Sequence, residues 1–265
     1  MGHCFKAGVF ATVNERSVEP ELRKSLEAAE ARSHRANDRE RAHMAAARAW
    51  MEGDLHRGAE LYGRILHDYP QDVVALQIAH QGDFFTGSSQ MLRDRVAQVM
   101  PHWSEDTPGY GYVLGMHAFG LEETNMYRRA EETGRRAVEM NARDPWAIHA
   151  VAHVMEMEGR LDDGIGWLTA RTAEWADGNA FAFHNWWHLA LYHMERGEFG
   201  QVLDLYDQRI KPGPTPIALE LVDGSALLWR LHLRGVDAGG RWKQLADAWE
   251  PMVETPSTPS TMPMR

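Results

Sequence analysis

Along most of this chain apolar positions recur at intervals of three and four, with polar residues between them, which is the period of amphipathic helices. The segments MEGDLHRGAELYGRILHDYP, EETNMYRRAEETGRRAVEM and MERGEFGQVLDLYDQRI carry it plainly. The sequence has no sustained alternation of β-branched and polar residues, so no strand is expected beside the helices. Small or turn-forming residues stand at matching junctions between successive amphipathic segments: Gly53, Gly87, Asn125, Gly159, Gly197 and Gly235. Subtracting successive residue numbers gives spacings of 34, 38, 34, 38 and 38 residues. A helix, a tight turn and a second helix fill such a period, which predicts helical hairpins in series.

The 34-residue unit has the tetratricopeptide period, and Tyr62 and Pro70, Ala130 and Ala137, and Tyr206 and Pro214 stand at its signpost positions. Small residues there let paired helices approach closely. The longer units place their extra residues in the loops SEDTPGYG, ADGNA and KPGPTP. The expected architecture is therefore all-α, a right-handed tetratricopeptide-type solenoid of about six to seven hairpins. It occupies residues 1–252 as a single domain, with a diverged hairpin over Cys4–Ala36, five fuller hairpins and a sixth beginning near Ala218. Residues 253–265, rich in Pro, Ser and Thr and without periodicity, are expected to be disordered.

Composition narrows the functional classes. At 265 residues, 44% hydrophobic and 25% charged, the chain has ordinary globular composition. A formal charge of −10 without any basic block opposes phosphate backbones, so nucleic acid is not an expected partner. Cys4 is the single cysteine, which excludes an intramolecular disulfide and fits a reducing compartment. The opening MGHCFKAGVFATVNE lacks the cationic start and apolar run of a secretory signal, and no window has the length of a membrane span. A cytoplasmic protein without a membrane partner is expected.

Two HxxxH motifs then stand out, His149 and His153 in HAVAH and His184 and His188 in HNWWH, with His149 and His184 thirty-five residues apart by subtraction. In helical-hairpin arrays the first helix of each hairpin lines the concave surface. Counting back from each junction places Trp146, His149, His153 and Glu156 on the inward stripe of one first helix, and His184, Trp187, Leu191 and Met194 on that of the next. His188 falls one step aside and is expected to pack between helices. Tyr112, Gly115, Phe119 and Glu122 line the stripe of an earlier unit, and Ser225, Trp229 and His232 that of the last.

Imidazoles four apart on one helix approach a common point, and a carboxylate one turn further can join them, so His149, His153 and Glu156 have the spacing of a divalent metal site. The zincin signature is absent, because Ala150 stands where it requires Glu. The same histidines alternatively serve as general acid or base oriented by Glu156 or Glu122, in a pocket walled by Trp146, Trp186, Trp187 and Trp229. The plainer alternatives are histidines that hydrogen-bond neighbouring backbone and tryptophans that fill the gaps between hairpins.

In order, the strings MLRDRV, GYGYVLGMHAFGLEET, DPWAIHAVAHVMEMEGR, HNWWHLALYHMERGE and ELVDGSALLWRLHLRG closely resemble the tetratricopeptide repeat protein 38 family, over about His3 to Trp249. The resemblance implies a helical-repeat fold and no particular reaction. The positions matching its motifs are His117, Glu122, Glu123, His149, His153, Glu156, His184, Asn185, Trp187, His188, Asp223 and Trp229. Members of that family extend further at both ends and carry a Phe-Asn-Asp-x-His motif after the segment corresponding to Trp249, so the resemblance implies a fragment. The tail ETPSTPSTMPMR can be encoded so that a shifted reading frame spells Asp-Ala-Phe-Tyr-Ala-Phe-Asn-Asp-Ala-His-Ala, which contains that motif, and a frameshift is the expectation that follows. Apolar surface near Trp242, Leu245 and Trp249 would then be uncovered, with self-association through uncapped ends.

The function expected first is binding of a peptide or small molecule in a His- and Trp-rich concave groove. His149, His153, Glu156 and His184 form its centre, and His117, Glu122, Trp146, Asn185, Trp187 and Trp229 line it. No cofactor is required for that function. The alternative is a hydrolase-like enzyme using the His and Glu cluster with a divalent metal at His149, His153 and Glu156. A purely structural scaffold is the third reading.

Overall fold

The computed structural model describes residues 1–254 apart from Pro212 and Pro216. Among the described residues the fold is all-α, without strands. It divides after Met140 into two compact units.

The first unit contains α1 (Gly2–Val13), α2 (Glu19–Glu30), α3 (Asp38–Met51), α4 (Leu55–Asp68), α5 (Val73–Phe85), α6 (Ser89–Val99), α7 (Tyr110–Glu122) and α8 (Tyr127–Met140). Its core is built on Trp50, Tyr62, Leu76, Ile78, Val96 and Met116. Polar side chains start the helices where the chain needs them. Asn37 and Glu40 form a reciprocal capping box at α3, and Asp54 and Asp72 cap α4 and α5. Asp72 also binds α3, accepting from Arg39 Nε at 2.6 Å and meeting His43 Nε2 at 2.7 Å. Burial alone would raise its pKa, but these hydrogen bonds hold the carboxyl well below the usual range.

The second unit contains α9 (Pro145–Met157), α10 (Leu161–Thr169), α11 (Thr172–Trp175), α12 (Ala182–Glu195), α13 (Phe199–Leu205), α14 (Ala218–Leu233) and α15 (Arg241–Glu254). A single wider π turn, Tyr206–Ile210, extends α13. Trp167 and Trp175 are buried with their indole N–H groups satisfied by the Ile148 and Leu168 carbonyls, each at 3.0 Å. α12 meets α9 through the Tyr192 hydroxyl, which donates to Ala152 O, and passes so close to α10 that a Cβ on Gly164 would clash with the Tyr192 ring.

All six junction residues adopt the left-handed backbone that ends one helix and starts the next, with φ of 85° at Gly53, 71° at Gly87, 61° at Asn125, 69° at Gly159, and 74° at Gly197 and Gly235. Gly and Asn tolerate this region where other residues are strained, which is why they mark the turns. Two expectations change near the end of the chain. Leu245 is 3% exposed and Trp249 donates to Ser225 Oγ at 3.1 Å, so of the three residues expected to be uncovered only Trp242 is exposed. α15 runs to Glu254, and the expected disorder of 253–265 falls, from residue 255 on, outside the described residues. Among the described residues no helix is long and apolar enough to cross a membrane.

Candidate metal centre

The second unit brings the two HxxxH motifs face to face. α9 starts on Asp144, whose carboxylate accepts from the Trp146 and Ala147 amides at 3.0 and 3.3 Å, and Pro145 pre-sets its first turn. Helical spacing then puts His149 and His153 on one side of α9, and His184 and His188 on one side of α12. The Trp146 ring stacks on Phe181 with centroids 4.2 Å apart and an interplanar angle of 15°, joining the starts of the two helices. Asn185 Nδ2 reaches the Pro145 carbonyl at 3.4 Å and ties α12 to the same end.

His188 is the hub. Its Nε2 lies 3.0 Å from His149 Nε2, 3.1 Å from His153 Nε2 and 3.2 Å from His184 Nε2. One nitrogen from each of the four rings falls within 4.8 Å of those of the others. One step aside on α12, it is 3% exposed and packs between helices as expected, and because α9 is the helix on that flank it also joins the cluster.

Two carboxylates hold the outer nitrogens. Glu156 Oε2 lies 2.9 Å from His188 Nδ1, and Asp223 Oδ2, from α14, lies 2.7 Å from His184 Nδ1. A carboxylate only accepts, so each of these Nδ1 atoms carries the proton, and in a neutral ring the Nε2 is then a bare lone pair. Two lone pairs thus face each other at 3.2 Å between His184 and His188. That arrangement repels unless a cation stands between them. Burial, reinforced by the neighbouring imidazoles, disfavours a proton on His149 or His188, holding both well below the ordinary histidine range.

The donor set suits a metal instead. Imidazole nitrogens bind Zn, Cu, Fe and Ni, and histidine ligands characteristically donate their other N–H to a carboxylate. With bonds of about 2.1 Å, neighbouring nitrogens stand about 3.0 Å apart around an octahedron and about 3.4 Å apart around a tetrahedron. The distances radiating from His188 lie in that interval.

The remaining expected residues lie on several elements. Glu156 acts on His188 Nδ1 rather than alongside the imidazole Nε2 atoms. Trp187 stacks on His184 with centroids 5.4 Å apart and an angle of 11°, and Trp229 is 55% exposed on α14 beside His232. Trp186, expected in the pocket wall, packs on Trp175 with centroids 4.6 Å apart. His117 and Glu122 lie on α7 of the first unit, where Glu122 is buried and burial, with Arg129 and Arg93 nearby, pushes His117 down. Asp223 and Phe181 were not singled out by helical spacing. Asp223 lies thirty-nine residues beyond His184, the offset that also separates His149 from His188, so the repeat itself was the available signal.

No known family model matches the chain.

Proposed function

We propose that the unit beginning at Asn141 holds one divalent transition-metal ion on the Nε2 atoms of His149, His153, His184 and His188, and presents it to a peptide or small-molecule ligand. The observation that carries this reading is the pair of carboxylates on His188 and His184, which leaves bare nitrogens converging on one point. The regular left-handed junctions support a tetratricopeptide-type solenoid, in keeping with the resemblance to the tetratricopeptide repeat protein 38 family. The cytoplasm is the compartment that a single buried Cys4 fits best.

Metal-assisted hydrolysis is the second reading, favoured by one feature. The His184 side chain is 23% exposed and His153 is part-buried, so two of the four rings touch solvent, and a bound divalent ion would lower the pKa of a water that joined it. Element analysis of the purified chain, after dialysis against each candidate ion, tests the central claim. Stoichiometric metal in the native chain that disappears in His153→Ala is the expected result. A native chain that takes up none of Zn, Cu, Fe or Ni would overturn it.

A further inference from the structure

The surface beside the four histidines has a definite chemistry. His153 and His184 are the two partly exposed members of the cluster, so any incoming group approaches from their side. Trp187 lies flat on His184, and the Arg230 guanidinium sits over the Trp187 ring, 5.3 Å from its centroid. Arg230 comes from α14, the helix that also supplies Asp223 to His184. Among the described residues this guanidinium meets no carboxylate, its other contact being the Ala226 carbonyl at 3.4 Å. In a chain of net charge −10, a cation without a carboxylate partner beside the cluster stands out. Val222 and Trp229, each one residue before Asp223 or Arg230 and so about 100° round α14 from them, are 48% and 55% exposed, an apolar stripe next to the charged one.

We propose that the metal centre binds a small oxyanion, a carboxylate or phosphate attached to an aromatic or apolar body, with one oxygen on the ion, Arg230 receiving the remaining charge, and Trp187 and Trp229 covering the body. Arg matches an oxyanion with two parallel N–H groups, and a guanidinium over an indole is held ready for it. The inference rests on the metal reading. It adds a coordination position that four imidazoles in a closed tetrahedron would not leave, and so commits the centre to five or six ligands.

The test uses the full chain loaded with Co2+, whose visible spectrum reports its ligands, titrated separately with benzoate, acetate and inorganic phosphate. Saturable spectral change with benzoate bound more tightly than acetate is expected, and a larger response to phosphate than to acetate would identify phosphate as the head group. Arg230→Ala should bind Co2+ as the native chain does but weaken the anion by about tenfold or more, the loss of one charge-assisted contact, and Arg230→Lys should recover part of it. A chain that takes up Co2+ while its spectrum ignores all three anions, or one whose Arg230→Ala variant binds them unchanged, overturns this inference alone. A chain that takes up neither Co2+ nor any of Zn, Cu, Fe and Ni overturns the metal reading beneath it.

Discussion

His188 Nε2 lies 3.0 Å from His149 Nε2, across two adjacent helices and thirty-nine residues of chain. The same nitrogen also faces His153 and His184, so its removal strips contacts from all the other rings at once. His188→Ala should therefore abolish metal uptake more completely than any other single histidine change. Thermal unfolding with and without chelator is the measurement. The native chain should lose Tm when chelated, since an ion at a hundred times its Kd contributes about 2.7 kcal/mol. The variant should unfold at the same temperature in both conditions. A chelator-dependent Tm in His188→Ala would show that the ion is held elsewhere.

Glu156 and Asp223 are positioning residues in this scheme, since each acts through the Nδ1 of a histidine. Glu156→Gln and Asp223→Asn keep the volume but remove the charge that sustains the ring's basicity. Each should weaken metal affinity about 10- to 100-fold, read by competition with a chromophoric chelator, while circular dichroism stays native. Unchanged affinity in both variants would reduce these carboxylates to ordinary packing partners.

The backbone turns are written in residue type and spacing, whereas the side-chain roles at the site are not. The turns were legible because a left-handed residue between two helices needs Gly or Asn, and Gly53, Gly87, Asn125, Gly159, Gly197 and Gly235 announce themselves by type and spacing. The helical period likewise placed His149 with His153, because four residues is nearly one turn. His188 escaped it, since counting along one helix fixes an azimuth but not which neighbour lies at that azimuth. The roles of Asp223 and Glu156 depend on ring orientation and on which nitrogen faces inward, and no residue pattern encodes those. Trp186 packs on Trp175 for a related reason: the short helix α11, which delivers Trp175 to it, interrupts the simple hairpin repeat.

Gly120 marks a close approach of α7 to the α6 backbone. A Cβ there would meet Leu92 O at 2.5 Å and the Arg93 Cα and N at 2.6 Å, all backbone atoms that cannot rotate away. Gly120→Ala should cost about 1–3 kcal/mol by overpacking, despite the better helix propensity of Ala. Gly166 is the control, since it is exposed inside α10 and a Cβ there meets nothing within 4 Å. Gly166→Ala should stabilise by up to about 1 kcal/mol. Urea unfolding of both variants checks the contrast, and equal effects of the same sign would mean that the helices are not in such close contact.

Asp144 gives the pH dependence. It is 1% exposed at the start of α9, and although the Trp146 and Ala147 amides favour its charged form, burial dominates and pushes its carboxyl from 3.8 up to about 6. The folded chain therefore holds this proton more tightly than the unfolded chain does. Stability from this group is fully present below pH 3.8 and is lost as pH rises through 6, by about 3 kcal/mol at most, from roughly two pK units at 1.36 kcal/mol each. Asp144→Asn keeps an oxygen for the helix cap but does not titrate. Its stability relative to the native chain should accordingly grow between pH 4 and pH 8, whatever the offset between the two at low pH. Urea midpoints of both proteins in metal-free buffer across that range provide the comparison, and parallel curves would place Asp144 in a far more polar setting than its burial implies.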